Sequence, residues 1–316
     1  MTARQSAGRL TIGAIFALLL LPQMSSATPT HTEQTAATRI VAEAFLRQLF
    51  GQQDLLGAYD RYAAPDFIQH NPEMADGIAG RKAYFAARAK HATGNPASPA
   101  NVYNMVLVDG DLFAIHHHIF SGPEDPGRVF VDIWRVADGR IVEHWDVIQP
   151  NPEQLAHSNG SGCGRGETYD TARVLGSTPD APTCGLPDPA ASRVKTREVI
   201  ERYVAEVASG DVRNAILRWF SADYRQHSPT IAEGAQGAIA HLQREYGKNA
   251  PPPRLGPARV IAEGDLILYH RLVTYPGAQG PSANVDIFRV TNGKISEHWD
   301  VKQAAPAKPA NANSMW

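Results

Sequence analysis

The 316-residue chain holds only two cysteines, Cys163 and Cys184, too few for a cysteine-built metal cluster of the zinc-finger kind. It carries no excess of one charge. Thirty Lys and Arg stand against 32 Asp and Glu, with no basic block, so the footprint needed to grip a phosphate backbone is missing and nucleic acid is not an expected partner. No Gly-x-Ser-x-Gly elbow occurs, which removes the usual signal for a hydrolase nucleophile. The one long apolar run, Leu10 to Leu21, is about 12 residues, short of the roughly 20 that cross a bilayer as a helix.

With 43% hydrophobic and 20% charged residues, the chain can bury a core in each of two domains. Arg4 and Arg9 precede the apolar run, Pro22 breaks it, and the small residues Ser25, Ser26 and Ala27 follow, the layout of a secretory signal. Residues 1–27 are therefore expected to be removed, leaving an exported protein, periplasmic or secreted, with no stable membrane anchor. Its net charge would be about −4 with His neutral.

Architecture is set by an internal repeat. Val131 to Gln149 reads VDIWRVADGRIVEHWDVIQ and Val285 to Gln303 reads VDIFRVTNGKISEHWDVKQ, with thirteen of 19 positions identical at an offset of 154. Asp109-Gly110-Asp111-Leu112 matches Glu263-Gly264-Asp265-Leu266 at the same offset. Upstream, Gln69-His70-Asn71-Pro72 matches Gln226-His227-Ser228-Pro229, and glycines follow each His at Gly77 and Gly80, then at Gly234 and Gly237. The chain is a tandem duplication, with repeat A over 36–150 and repeat B over 193–304. Residues 151–192, rich in Gly, Ser, Pro and Thr, form a linker in which Cys163 and Cys184, the only two cysteines of an exported chain, are expected to pair. Gly160 to Gly166 follows no apolar strand and opens no periodic helix, so it is not a phosphate loop. Residues 305–316 are expected to form a disordered tail.

Each repeat runs helices first and strands after. Ile40, Ala44, Phe45 and Leu49 have helical spacing, Asp54 is a candidate N-cap, and a third helix starts near Gly80. Four alternating or β-branched runs follow, Val102–Val108, Leu112–Phe120, Arg128–Val136 and Arg140–Ile148, punctuated by Asp-Gly turns. That order makes the fold α+β, with an antiparallel meander in each repeat.

The element order, the segment Ile68-Gln69-His70-Asn71-Pro72, the paired glycines and the ending Asp138-Gly139-Arg140-Ile141-Val142-Glu143-His144-Trp145-Asp146 resemble the SnoaL-like polyketide-cyclase branch of the nuclear-transport-factor-2-like superfamily. The resemblance covers nearly all of both repeats. It implies two cone-shaped α+β barrels, each a curved sheet on three helices whose mouth admits a small hydrophobic molecule. It does not fix the reaction, because that superfamily includes cyclases, isomerases, dehydratases, epoxide hydrolases and binders.

Which side chains face the cone depends on the β-hairpin register. A three-residue turn with a left-handed Gly139 sets Asp132 opposite His144 and puts Asp132, Trp134, His144 and Asp146 on one face; a two-residue turn at Asp138-Gly139 groups Asp132 with Glu143 and Trp145 instead. The first is preferred, because it gathers the titratable groups and leaves Val131, Ile133, Ile141 and Trp145 as an apolar outer face. Repeat B then carries Asp286, Phe288, His298 and Asp300 inward. On the neighbouring strand His116 and His118 share a face, with His270 the counterpart of His116, while His117 points away and is expected to be structural. His70 and His227 are expected near the mouth, although such residues can equally serve to fix loops.

By resemblance Asp146 and Asp300 are the acid/base candidates, supported by Asp132, Asp286, His144 and His298. An Asp in an apolar cavity has a raised pKa, and a neighbouring His can relay its proton. The ligand-binding candidates are His70, His227, His116, His270, His118, Trp134 and Phe288. A metal held by His70, His116, His118 and His144 is not expected, because repeat B lacks the counterpart of His118 and no His-x-x-x-His spacing occurs. No cofactor is expected. The classes in play are a cofactor-free lyase or isomerase acting beside a carbonyl, a binding protein for a small hydrophobic molecule, and a structural pair. The apolar outer faces predict that the repeats pack on each other as an internal pseudo-dimer.

Overall fold

The computed structural model describes residues 28–91, 100–163, 178–246 and 252–316; the leader expected over 1–27 lies outside the described residues. Repeat A opens with α1 (His31–Leu46), where the Thr30 hydroxyl accepts from the Glu33 backbone N–H and the Glu33 carboxylate reaches back, a capping box. A π-helical segment, Arg47–Gly51, continues it. Helix α2 (Leu55–Tyr62) is capped by Asp54, whose Oδ1 accepts from Gly57 N–H at 3.0 Å. Strand β1 (Ala63–Gln69), helix α3 (Gly77–His91) and strands β2 (Ala100–Asp109), β3 (Leu112–Phe120), β4 (Arg128–Ala137) and β5 (Arg140–Pro150) complete the repeat. Repeat B copies the order as α4 (Arg193–Ala208), α5 (Val212–Trp219), β6 (Phe220–Gln226), α6 (Gly234–Tyr246), β7 (Arg254–Glu263), β8 (Leu266–Thr274), β9 (Ser282–Thr291) and β10 (Lys294–Ala304). The paired glycines have separate reasons. Gly77 and Gly234 take φ of 75° and 73°, whereas a Cβ on Gly80 or Gly237 would lie 2.0 or 1.9 Å from the carbonyl oxygen of Ala75 or Ala232.

Each repeat forms one open five-stranded sheet, in the orders β1-β5-β4-β3-β2 and β6-β10-β9-β8-β7. The class is α+β as expected. Two details differ: β1 and β6 run parallel to β5 and β10, so the sheets are mixed rather than wholly antiparallel, and neither closes into a barrel.

The β4–β5 hairpin combines parts of both expected geometries. Ala137 pairs with Arg140, and Asp138 and Gly139 both take positive φ (50° and 72°), a two-residue turn rather than the preferred three-residue one. A bulge then inserts Val142, because Val136 faces Ile141 while Arg135 faces Glu143. One extra residue exchanges the faces again. Asp132 consequently lies opposite Asp146, not His144, and Trp134 opposite His144, with all four on the inner face. Ile141 falls before the bulge and so joins the inner core of repeat A instead of the outer face; Ile295 does the same in repeat B.

The outer faces meet. Val131, Ile133, Trp145 and Val147 of repeat A form one buried cluster with Val285, Ile287, Trp299 and Val301 of repeat B. The two repeats therefore make an internal pair, and the apolar area each sheet removes from water stabilises both at roughly 25 cal/mol per Å². Reciprocal hydrogen bonds follow the 154-residue offset. Gln303 Oε1 accepts from Ile148 N–H at 2.8 Å, and Gln149 Oε1 accepts from Lys302 N–H at 2.7 Å. Asp109 Oδ2 accepts from Ala262 N–H at 3.0 Å, and Glu263 Oε2 from Val108 N–H at 2.7 Å. Cys163 and Cys184 form a disulfide packed against this shared cluster.

Residues 305–316 are ordered, contrary to the expected tail. Met315 is buried in the shared cluster, and the segment crosses to repeat A, where Ala310 N–H donates to Pro72 O at 2.7 Å and Asn313 Nδ2 to Gln69 O at 2.9 Å. The start of the linker crosses the other way at the same offset: Ala156 N–H donates to Pro229 O at 2.9 Å and Asn159 Nδ2 to Gln226 O at 3.1 Å. Each strand β5 or β10 is thus followed by an arm that docks on the other repeat.

Candidate active site

Inside repeat A, the inward sides of β3, β4 and β5 bring His117, Asp132, His144 and Asp146 together, because these strands pair in a register that sets Ile115 beside Asp132 and His117 beside Phe130. Asp132 is the hub. Its Oδ1 accepts from His144 Nε2 and its Oδ2 from His117 Nε2, both at 2.8 Å. The Arg81 guanidinium, from α3, donates to His144 Nδ1 at 3.1 Å and lies over the Tyr59 ring at 4.1 Å. His144 Nδ1 also lies 3.0 Å from Gln69 Oε1, so it faces both a donor and an acceptor, while Nε2 faces the Asp132 carboxylate. Tyr59 in turn accepts from Trp134 Nε1 at 2.9 Å, closing the floor of the cone.

Asp146 has different neighbours. Asn71 Nδ2 donates to both its oxygens, at 2.9 and 2.7 Å, and Asn71 N–H is itself held by Gln69 Oε1 at 2.8 Å. Burial, and then the adjacent Asp132 charge, push the Asp146 carboxyl up to about 7, against the opposing pull of Asn71 and Arg81. Asp132 shows the reverse. Burial acts to raise it, yet the two imidazole hydrogen bonds outweigh burial and hold it well below the usual carboxylate range. His144 is lowered to about 4 by burial and by Arg81, so it is neutral near pH 7. Two carboxylates side by side, one fixed ionised and one poised near neutrality, divide the acid/base roles between them.

A cavity of about 300 Å³ opens onto this group, lined by Leu49, Phe50, Met74, Phe85, Phe130 and Ile148 as well as by His117, Asp132 and Asp146. Its walls are mostly apolar, with Glu73, Arg81, Arg128 and Gln303 adding polar groups, and suit a small, mostly hydrophobic molecule with a polar end. His117 Nδ1 is buried and has no partner among the described residues. Asp132, His144 and Asp146 each bring an oxygen or nitrogen within 4.8 Å of one another, a spacing a metal ion would accept. A cation held through His144 Nε2 would break the His144–Asp132 bond and stand near the Arg81 charge.

Repeat B keeps the outline and changes the chemistry. His298 Nε2 and Asp286 Oδ1 are 3.4 Å apart, and Asp300 pairs with Lys302 Nζ at 3.2 Å. By sequence offset Ser228 stands for Asn71, Ala238 for Arg81, Arg271 for His117 and Lys302 for Ile148. The cavity here is smaller, about 110 Å³, lined by Tyr203, Tyr224, Phe288, Arg271, Asp300 and Lys302 among others.

Among the expected site residues, the structure gathers Asp132, His144 and Asp146 around one cavity and Asp286, His298, Asp300 and Phe288 around the other. Trp134 lies beneath His144, their rings 5.1 Å apart. Five histidines fall elsewhere. His116 and His118 are on the outer face, both against Asn104 Nδ2 at 3.1 Å, and His270 is there too, against Arg259 at 2.8 Å. His70 and His227 stack on Trp145 and Trp299 at 4.5 and 4.6 Å, outside either cone. They hold the interface and the loops, and line neither of the two cavities. His117, expected to be structural, is the one that enters the site. Asn71 and Arg81 were unanticipated; the departures at Ser228 and Ala238 are the signal that could have marked them, since a difference between otherwise matching repeats points to chemistry done by only one.

The model of the SnoaL-like domain matches residues 42–144 and 200–298, well over half the chain, which belongs to that family. No curated protein matches it. Among solved structures, an NTF2-like protein of unknown function from Burkholderia xenovorans LB400 is similar at 20% identity, covering 37% of this chain and 88% of its own, with a TM-score of 0.30. AclR from Streptomyces galilaeus is similar at 21% identity over 36% and 83%, TM-score 0.32. An M. tuberculosis LEH-like epoxide hydrolase is similar at 14% over 35% and 84%, TM-score 0.30. Each match spans about one repeat.

Proposed function

We propose that repeat A is a cofactor-free acid/base site that moves a proton beside a carbonyl of a small hydrophobic molecule, a lyase- or isomerase-type reaction in an exported protein. The observation that carries this reading is the buried Asp146 carboxyl, raised to about 7 and aimed by Asn71 at a largely apolar cavity. With Asp132 ionised between two imidazoles, Asp146 is the carboxyl that takes and returns the proton. Arg81, which lines the cavity, supplies positive charge for the substrate's polar end. The secretory layout of residues 1–27 and the Cys163–Cys184 disulfide support export to an oxidising compartment.

Repeat B is read as a binding pocket without that chemistry, because Lys302 neutralises Asp300 and the counterparts of Asn71 and Arg81 are missing. Incubating the purified protein with a metabolite extract and following its composition by mass spectrometry tests both readings. Parent protein should convert a compound that Asp146→Asn binds and releases unchanged, while Asp300→Asn should convert it like the parent. Unmodified release by parent and Asp146→Asn alike would make repeat A a binder too.

A further inference from the structure

The loop that follows β1, residues 70–76, carries Met74 to the cavity of repeat A and Asn71 to Asp146, and its N–H groups bond within that repeat, His70 to His144 O, Asn71 to Gln69 Oε1 and Met74 to Asn71 O. Its carbonyls are met from the far end of the chain. Asn311 Nδ2 donates to Asn71 O at 2.7 Å and to Met74 O at 2.8 Å. Asn313 Nδ2 donates to Gln69 O and Ala310 N–H to Pro72 O, while His70 Nδ1–H donates to Ser314 O at 2.7 Å. The arm is itself stiffened where Asn313 N–H donates to Asn311 Oδ1 at 2.8 Å. Every residue from Gln69 to Met74 except Glu73 is therefore tied to residues 310–314, which follow the last strand of repeat B. Glu73 N–H turns back to Asn71 Oδ1 at 2.7 Å, and that bond orients the Asn71 amide so that its Nδ2 faces Asp146.

We propose that Asn311 and Asn313 are positioning residues for the site of repeat A: the arm of repeat B holds the loop at the height where the Asn71 amide meets both oxygens of Asp146. Repeat B thus completes the site of repeat A, and the two repeats cannot be separated without loosening it. The linker arm does the equivalent for repeat B through Asn159, but there the loop presents Ser228, so the same docking has no amide to aim. The significance of this device rests on the reading of Asp146 as the proton carrier, whereas its test reads the carboxyl alone.

The test uses the full chain and carboxyl carbon NMR of Asp146, whose other charged neighbours are Asp132, Arg81 and Glu73. Asn71→Ala removes both donors to the ionised form and should displace the Asp146 midpoint upward. Asn311→Ala with Asn313→Ala should move it the same way, by about half a pH unit or more. Asn159→Ala, an arm change of the same kind on repeat B, should lower thermal stability similarly and leave Asp146 where it was. The single change Asn311→Ala, at a partly exposed position, is read in the same manner if the double variant does not fold. An unmoved Asp146 in the folded Asn311→Ala or double variant, or an equal displacement by Asn159→Ala, overturns the proposal. Loss of catalysis in every form with these titrations intact would count against the proposed reaction and not against the arm.

Discussion

Asp132 and Asp146 face each other across β4 and β5 as a directly opposed pair, yet only Asp132 is bonded to imidazoles. The asymmetry decides which carboxylate ionises first. Two buried charges side by side repel, so the carboxylate bonded to the imidazoles takes the charge and the other keeps its proton to higher pH.

Removing the Asp132 charge should therefore lower Asp146. In Asp132→Asn the like charge is gone while burial remains, so the Asp146 midpoint falls from about 7 part of the way toward 4. The same change leaves an imidazole without a full partner and should cost about 1–3 kcal/mol of stability by urea titration. A midpoint that stays at or above 7 would contradict the paired-carboxylate origin of the shift.

Stability against pH has a definite sign. His144 is lowered to about 4 by burial and Arg81, and His270 to about 3 by burial and Arg259, so the folded state binds fewer protons than the unfolded one. Their contribution is complete above the ordinary His value of 6.5 and is lost as pH falls through 4 and 3. Asp146 acts oppositely: its folded value is raised, so its contribution is complete below 3.8 and lost as pH rises through about 7. Urea midpoints should therefore fall steeply from pH 6.5 to pH 3. His270→Gln should flatten the lower part of that fall; an unchanged slope would contradict the neutral interface histidine.

Trp145→Asp should destabilise both repeats, because Trp145 sits in the shared cluster and the Arg259 guanidinium of repeat B lies 3.5 Å over its ring. The loss is on the order of 3–5 kcal/mol. Limited proteolysis should cut both repeats of this variant. A protected repeat B would mean that the repeats stand independently.

Reducing the Cys163–Cys184 disulfide, which closes a loop of 21 positions, should remove about 3 kcal/mol. The bonded segments touch both repeats: Thr183 and Cys184 N–H donate to Tyr103 and Asn104 of β2, and Trp299 Nε1 donates to Gly162 O. A melting temperature indifferent to reductant would contradict this.

The duplication and the helix-then-strand order were legible in the sequence, since matching segments at one offset are local signals, whereas the inner face carrying Asp132, Trp134, His144 and Asp146 was reached through the wrong turn, because the two-residue turn and the Val142 bulge offset each other. The Val142 bulge was not legible, because a bulge leaves no composition mark. His117 was misassigned for a related reason. Both faces of β3 are buried, one in the cone and one at the interface, so its alternation shows no polar side from which to read direction. The arms were missed although the repeat continues into them: Pro152, Ala156 and Asn159 match Pro306, Ala310 and Asn313 at the same offset of 154. A composition rich in Pro, Ala and Asn hides segments held by hydrogen bonds to the other repeat and by the burial of Met315 in the shared cluster.

The central claim is that Asp146 is a carboxyl poised near neutrality in the cavity of repeat A. Titration of the full chain labelled at aspartate carboxyl carbons, with the Asp146 signal assigned by its loss in Asp146→Asn, measures this directly. The structure predicts a midpoint near 7; a midpoint near the ordinary 4 would remove the physical basis for acid/base chemistry at this site.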